Sequence, residues 1–363
     1  MLATATLFQY LARQFLFWLG SVFLILTALF EVFDLVEMLR RASSKDIPFD
    51  VVLQLNLSKL PHLVQDVFPF IVLFGALIAF WRLAKSSELV VIRAAGISVW
   101  QILAPSLLVA FLLGVFQITV YSPFSASLRA KYEELESEYF SNGSEQLTVS
   151  KTGLWLRQTH EEGQAVIHSR KTENGGTKLT DVTVFLFDKD EKFDGRIDAK
   201  SAVLEKNQWV FNNATVSEIN GRGELKERYA LPTNLTEEKI QESFASADTL
   251  SFWQLPEFIK TMEEAGFSAN THRLRLHSML STPFLFCAMV LIAATFSIRA
   301  SRRSSTAFMV LGGIMCGFLL YLMTNVVHAV GLATGLPVSL AAWMPAGVSV
   351  MLGVTALLHL EDG

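Results

Sequence analysis

Three long stretches of this chain carry no charge. Residues 94–128, 276–298 and 304–360 contain no Asp, Glu, Lys or Arg. Hydrocarbon offers the backbone no hydrogen-bond partner, so a chain that enters it must satisfy its own N–H and C=O groups, as a helix or a closed barrel. A spanning helix takes about 20 mainly apolar residues. The uncharged stretches are long enough for that and lack the alternation of a barrel strand. The 304–360 run exceeds one crossing and is broken at Gly331, Gly335 and Pro337, so it makes two spans.

Six spans are predicted, over 15–36, 61–81, 99–121, 276–298, 306–329 and 338–359. The chain as a whole is 18% charged, against about 25% for a soluble domain. That average conceals the arrangement, because the charge crowds into residues 130–275. The fold class is therefore an α-helical polytopic membrane protein, three spans plus three, with a polar domain inserted between the halves. The predicted units are 1–125, 126–270 and 271–363. The run from Gln14 to Phe30 is too long for the apolar core of a cleavable signal, and acidic residues follow it, so it reads as a retained first span.

Lys and Arg in short loops favour the cytoplasm. With the N-terminus inside, Arg13, Arg82, Lys85, Arg93, Arg299, Arg302 and Arg303 lie inside, against Arg40, Arg41, Lys45 and Lys59 outside. Seven against four favours cytoplasmic termini and an external polar domain. That domain reads as β. Leu154–Leu156, Thr180–Phe187 and Gln208–Phe211 are rich in aromatic and branched residues. Asn142-Gly143, Glu162-Gly163, Asn174-Gly-Gly176, Asp188-Lys-Asp190 and Asn220-Gly-Arg-Gly223 punctuate them as turns. A sandwich or jelly roll is expected. A helix capped by Ser251 follows, with Leu255, Phe258, Ile259 and Met262 as its apolar stripe and Gly266 as its end.

At the end of the first span, Glu31, Asp34, Glu37 and Arg41 recur every three or four residues and form one stripe on a helix. Ionisable groups at membrane depth are costly unless they face a cavity or a partner. The stripe reads either as the polar lining of a path for an amphiphile or as interfacial residues, with Glu37 paired to Arg40 or Arg41. Arg40, Arg41 and Lys45, with Arg273 and Arg275 at the start of the fourth span, are placed to bind phosphates or to anchor at the interface. Pro61 and Pro69, with Asp66 between them, suggest a kink in the second span. His328 and His359 are lone intramembrane histidines.

Between spans two and three lies Trp81–Ile97, WRLAKSSELVVIRAAGI, too polar for lipid and too short for a domain. It reads as an interfacial helix over 82–98, opened by Glu88 at the positive end of its dipole. No phosphate-loop GxxxxGK[ST], no GxSxG and no HExxH occurs, and Cys287 and Cys316 lie in apolar runs without metal-ligand spacing. The net charge of −4 includes no basic field for nucleic acid.

The order of three spans, β domain and three spans resembles the lipopolysaccharide export permeases, the LptF/LptG family. Ser87-Glu-Leu-Val-Val-Ile-Arg-Ala-Ala-Gly96 is similar to that family's most recognisable motif, and Gly153-Leu-Trp155 and Asn234-Leu-Thr236 resemble its LptG branch. The resemblance implies an inner-membrane permease with cytoplasmic termini and a periplasmic β-jelly-roll. It implies pairing with an LptF-like second permease above an LptB-like ATPase dimer, which binds the ATP, so the chain itself needs no cofactor or metal. An LptC-like single-span protein and an LptA-like bridge would carry lipopolysaccharide onward. Glu88, Leu89, Ile92, Arg93 and Gly96 would couple to the ATPase. Glu31, Asp34, Glu37, Arg40, Arg41, Arg273 and Arg275 would face substrate. Some family members carry a Lys within span one, where this chain has Glu31, Val32, Phe33 and Asp34. The rival reading is a non-transporting membrane scaffold or sensor with an external β domain. A macrolide-exporter permease would place its large domain after the first span instead.

Overall fold

The computed structural model describes residues 2–43, 45, 47–140, 146–150, 153–160, 163–173, 176–188, 192–206, 208–218, 223–233, 246–264, 267–299, 306–333 and 336–361. They form two compact units, Met1–Tyr132 with Arg273–Gly363, and Glu133–His272. The sequence-based boundary at 125/126 falls inside a helix that runs on to Phe140.

The first unit is helical. Helix α1 spans Leu2–Ser43, α2 Phe49–Lys85, α3 Glu88–Ala94 and α4 Val99–Phe116. A π-helical turn, Gln117–Tyr121, joins α4 to α5, Ser122–Phe140. Six helices are long and apolar enough to cross a membrane: Ala5–Ser43, Phe49–Lys85, Val99–Phe140, Asn270–Ser297, Leu311–Ala333 and Val338–His359. The first three overrun the ranges expected from hydropathy. Their lengths of 39, 37 and 42 residues correspond to about 55–63 Å at the α-helical rise, roughly twice the hydrocarbon thickness. Hydropathy sees the part in lipid. It does not see a helix carried onward by Glu, Lys, Leu and Ala, as in Arg129–Glu138.

The core of this unit is built on α2. Ile71, Val72, Leu73, Ala76 and Leu77 are fully enclosed, and Leu11, Phe15 and Leu19 of α1 pack onto the same cluster with Ile102 and Leu103 of α4. Phe68 is its aromatic hub, with ring centroids 6.0 Å from Phe23, 5.7 Å from Tyr121 and 6.1 Å from Phe286. Small residues set the closest approaches. A Cβ at Gly75 would meet the Leu19 Cα at 2.9 Å. One at Gly114 would meet the backbone of Pro283, in helix α7 (Asn270–Arg299), at 2.5 Å. Helices α8, Thr306–Ala333, and α9, Val338–Glu361, complete the bundle.

Pro61 and Pro69 both lie inside a continuous α2. A helical proline leaves the carbonyl four residues earlier without its donor. For Pro69 that carbonyl belongs to Gln65, and the Gln117 side chain donates to it at 3.3 Å. Gln117 is buried and opens the π-helical turn, where the helix wall is bulged. Tyr121, at the other end of that turn, donates to the Pro61 carbonyl at 3.0 Å.

The second unit carries one antiparallel sheet of seven strands: β1 Gln146–Ser150, β2 Gly153–His160, β3 Gly163–Glu173, β4 Lys178–Phe187, β5 Phe193–Glu205, β6 Gln208–Glu218 and β7 Glu224–Pro232. The β domain expected from the sequence is present. Its strands pair in chain order, as a meander, whereas a jelly roll would need two Greek keys. Register aligns one buried row, Leu156–Ile167–Val184–Ile197. Leu179, Ala202 and Phe211 form a second. Gln158 of β2 donates to the Pro232 carbonyl at 3.3 Å and accepts from the Thr233 hydroxyl at 2.7 Å, so the two sides of the sheet meet around this buried amide.

Most of the expected turn residues, and Asn234-Leu-Thr236, lie wholly or partly outside the described residues. The late helix, α6, runs Leu255–Glu264 and buries Leu255, Ile259 and Met262 as the stripe requires. It starts later than Ser251, which instead closes a turn with Gln254 through backbone and side chain. Gly266 lies outside the described residues.

Replacing Gln117 by Leu should cost about 1 kcal/mol, the scale of a lost interhelical hydrogen bond in a membrane. It should show as a lower thermal midpoint of the purified protein in detergent. Adding Pro69→Ala returns a backbone donor to the Gln65 carbonyl and should recover most of that loss.

Candidate functional site

Two clusters collect the residues singled out by sequence. The first lies at the end of α1. The slanted stripe divides there. Asp34 turns toward α2, where Lys59 Nζ lies 2.5 Å from Oδ1 and Asn56 Nδ2 donates to Oδ2 at 3.2 Å. The pair is largely covered, with 27% of the Lys59 side chain and 13% of the Asp34 side chain exposed. Glu31, one turn earlier, has its Oε2 buried with no hydrogen-bond donor among the described residues. Glu37 stays on the surface and holds Arg40 by a two-pronged ion pair, at 2.9 Å from Nε and 2.7 Å from the terminal nitrogen. Arg41 is exposed beside it.

Lys59, counted above among loop cations, is therefore an intrahelical residue that pins span two to span one. A lone cation three residues after Asn56 in an apolar run was the signal for it. Its ammonium also lies 5.9 Å from the ring centre of Tyr132, a ring that Arg129 approaches at 4.9 Å.

Arg275 belongs to a different place. It lines a cavity of about 350 Å³ with Gln65, Asp66, Gln117, Ser278 and His328. Arg40 and Arg41 contribute nothing to that lining. The two basic pairs placed at one membrane level by sequence therefore do not share this cavity. Ser278 Oγ and His328 Nε2 stand 3.3 Å apart within it. Among the described residues no group of His, Cys, Asp and Glu is arranged to hold a metal.

The second cluster is the 82–98 segment, and it is not one helix. Arg82 and Lys85 end α2, with Lys85 Nζ 4.8 Å from the ring centre of Trp81. Ser87 takes a left-handed conformation, φ 61°, which breaks the chain direction. Then α3 makes seven residues, Glu88–Ala94, and Gly96 at φ +83° turns out of it. Ser98 and Gln101 close a reciprocal capping box that starts α4. Leu89 is driven into the bundle core and Ile92 packs against that core. Val90 and Val91 are left in the open, 65% and 67% exposed, with Arg93 and Gly96 exposed as well. Sequence reasoning chose Leu89 and Ile92 as the apolar docking residues; the free face belongs to the valines. Glu88 accepts from Ser86 Oγ and from the Tyr10 hydroxyl, both at 2.8 Å.

The chain is matched over residues 9–359 by the family described as lipopolysaccharide export system permease LptF/LptG. The chain belongs to the LptF/LptG family. It is 26% identical over 356 residues to the lipopolysaccharide export system permease protein LptG of Haemophilus influenzae, covering 94% of each chain. It is 21% identical over 357 residues to the LptG of Escherichia coli K12, covering 97% of each. LptF/LptG proteins are transporter subunits, and six membrane-length helices make this member an inner-membrane protein.

Within this LptF/LptG bundle, Lys59→Met should leave Asp34 charged and half-enclosed, at a cost of about 2 kcal/mol or more. The thermal midpoint in detergent should fall accordingly, and Asp34→Asn in the same chain should restore part of it. A midpoint unchanged by Lys59→Met would show that the pair contributes nothing to the bundle.

Proposed function

We propose that the chain is the LptG-type half of a two-permease exporter that draws lipopolysaccharide out of the inner membrane, with work supplied by a separate LptB-like ATPase dimer. The observation that carries this reading is the free face of α3. Two valines exposed beside Glu88 and Arg93, on a short helix anchored by Leu89, make a surface that a partner's groove would cover. Glu88, Val90, Val91 and Arg93 would meet the ATPase, with Leu89 and Ile92 carrying the push into the bundle.

The cover on the spans supports the transport part of the reading. Only 17% of the apolar window is buried in each of the first and fifth spans, against 61% in the second and fourth. Such bare faces suit acyl chains or an LptF-like sister permease. Lipopolysaccharide would enter between the first span of one permease and the fifth of the other. Arg40, Arg41, Arg273 and Arg275 would receive its phosphates, with Glu37 holding Arg40 in place. The termini would be cytoplasmic and the β domain periplasmic. That domain would pass the lipid toward LptC-like and LptA-like partners, whose strands can extend an open sheet edge. ATP would be bound only by the ATPase.

The test is gentle purification of the tagged chain, with co-purifying proteins and lipids identified by mass spectrometry. An ATPase, a second six-span permease and lipopolysaccharide are expected. Glu88→Ala should still insert and should recover at least about fivefold less ATPase, the scale of a contact at the centre of an interface. A complex without any ATPase, under conditions that keep other transporter complexes whole, would favour the scaffold. Reversing Arg40 and Arg41 together to Glu should lower bound lipopolysaccharide several-fold, since charge-assisted phosphate contacts are lost and repulsion replaces them. Unchanged lipid content would make both residues interface anchors.

A further inference from the structure

Both oxygens of Glu88 are engaged from within the chain, one by a near neighbour and one by a distant helix. Ser86, in the break between α2 and α3, donates to Oε1 at 2.8 Å. Tyr10 of α1, 78 positions away in sequence, donates to Oε2 at 2.8 Å. A carboxylate has about four acceptor sites, so two donors set its plane and leave room for a partner's cation. The phenol ring is 46% exposed, so the contact is not a by-product of core packing.

The rest of α3 is loosely held. Leu89 is its one buried residue, and positive φ at Ser87 and Gly96 lies at either end, where the backbone changes direction. A second link, from α1 to the end of α2, lies further along α1, where the Arg82 guanidinium stands 5.5 Å from the ring centre of Trp18. Tyr10 and Trp18 are eight residues apart and so lie toward one face of α1. Span one is thus attached to the end of α2 and to the start of α3 by two polar links.

We propose that Tyr10 is a positioning residue for coupling: its hydroxyl orients the Glu88 carboxylate and ties movement of α3 to the first span. The inference rests on the coupling role proposed above for α3. A push on Glu88 would reach α1 directly, through a hydrogen bond, as well as through α2. The first span is one of the two most sparsely covered in the bundle.

The experiment uses the complete complex of both permeases and the ATPase, in proteoliposomes containing lipopolysaccharide. It measures lipid released per ATP hydrolysed for the unaltered chain, Tyr10→Phe, Glu88→Ala and the double variant. Tyr10→Phe keeps the ring and removes only the hydroxyl, and intact assembly is checked by complex yield. It should lower the ratio about three- to tenfold, the scale of one intramolecular hydrogen bond. The double variant should be no worse than Glu88→Ala alone, because the two residues act through one contact. A normal ratio for Tyr10→Phe with an impaired Glu88→Ala would remove Tyr10 and leave the coupling role standing. Additive losses would place Tyr10 in some other contact and overturn the inference. A normal ratio for Glu88→Ala would sink the coupling role itself, and this inference with it.

Discussion

Hydrocarbon does not accept hydrogen bonds, and that constraint organises the helical unit. Three polar groups that the sequence puts at membrane depth are met by another helix. The Gln65 carbonyl, deprived of its donor by Pro69, receives one from Gln117. Asp34 is met by Lys59 and Asn56. Ser297 donates to the Leu77 carbonyl at 3.3 Å. All three contacts end on α2 or begin there, so one of the two most enclosed helices is also where these polar contacts gather. Apolar packing brings the helices together, and these contacts select the faces that meet.

The two functional ends of the unit are built differently. At one end, α1 and α2 are locked by a mostly covered ion pair between Asp34 and Lys59. At the other, α3 is a short helix between two left-handed backbone positions, anchored by Leu89 and steered at Glu88.

Much of this was legible in the residues alone. Six spans, their 3+3 order and an inserted β domain followed from where charge is absent, because the cost of charge in lipid is too large for local detail to override. The strand cores at Leu154–Leu156 and Gln208–Phe211 were readable because aromatic and branched residues favour a pleated, packed strand. The strand order was not readable, since Greek-key and meander connections use the same short strands and turns. Helix ends were also missed, because α5 continues on propensity after hydropathy has stopped.

The candidate sites divide along the same line. Sequence alone determined that Glu88 opens a short polar segment between spans two and three, and that a set of ionisable residues ends span one. Those are properties of neighbours along the chain. Only the tertiary structure decided what each side chain meets. It paired Asp34 with Lys59, turned Leu89 inward and Val90 and Val91 outward, put Arg275 in a cavity apart from Arg40 and Arg41, and brought Tyr10 to Glu88. Such partners are distant in sequence, and their meeting depends on how helices rotate about their axes when packed. Helical periodicity specifies which residues share a face; only packing specifies what that face touches.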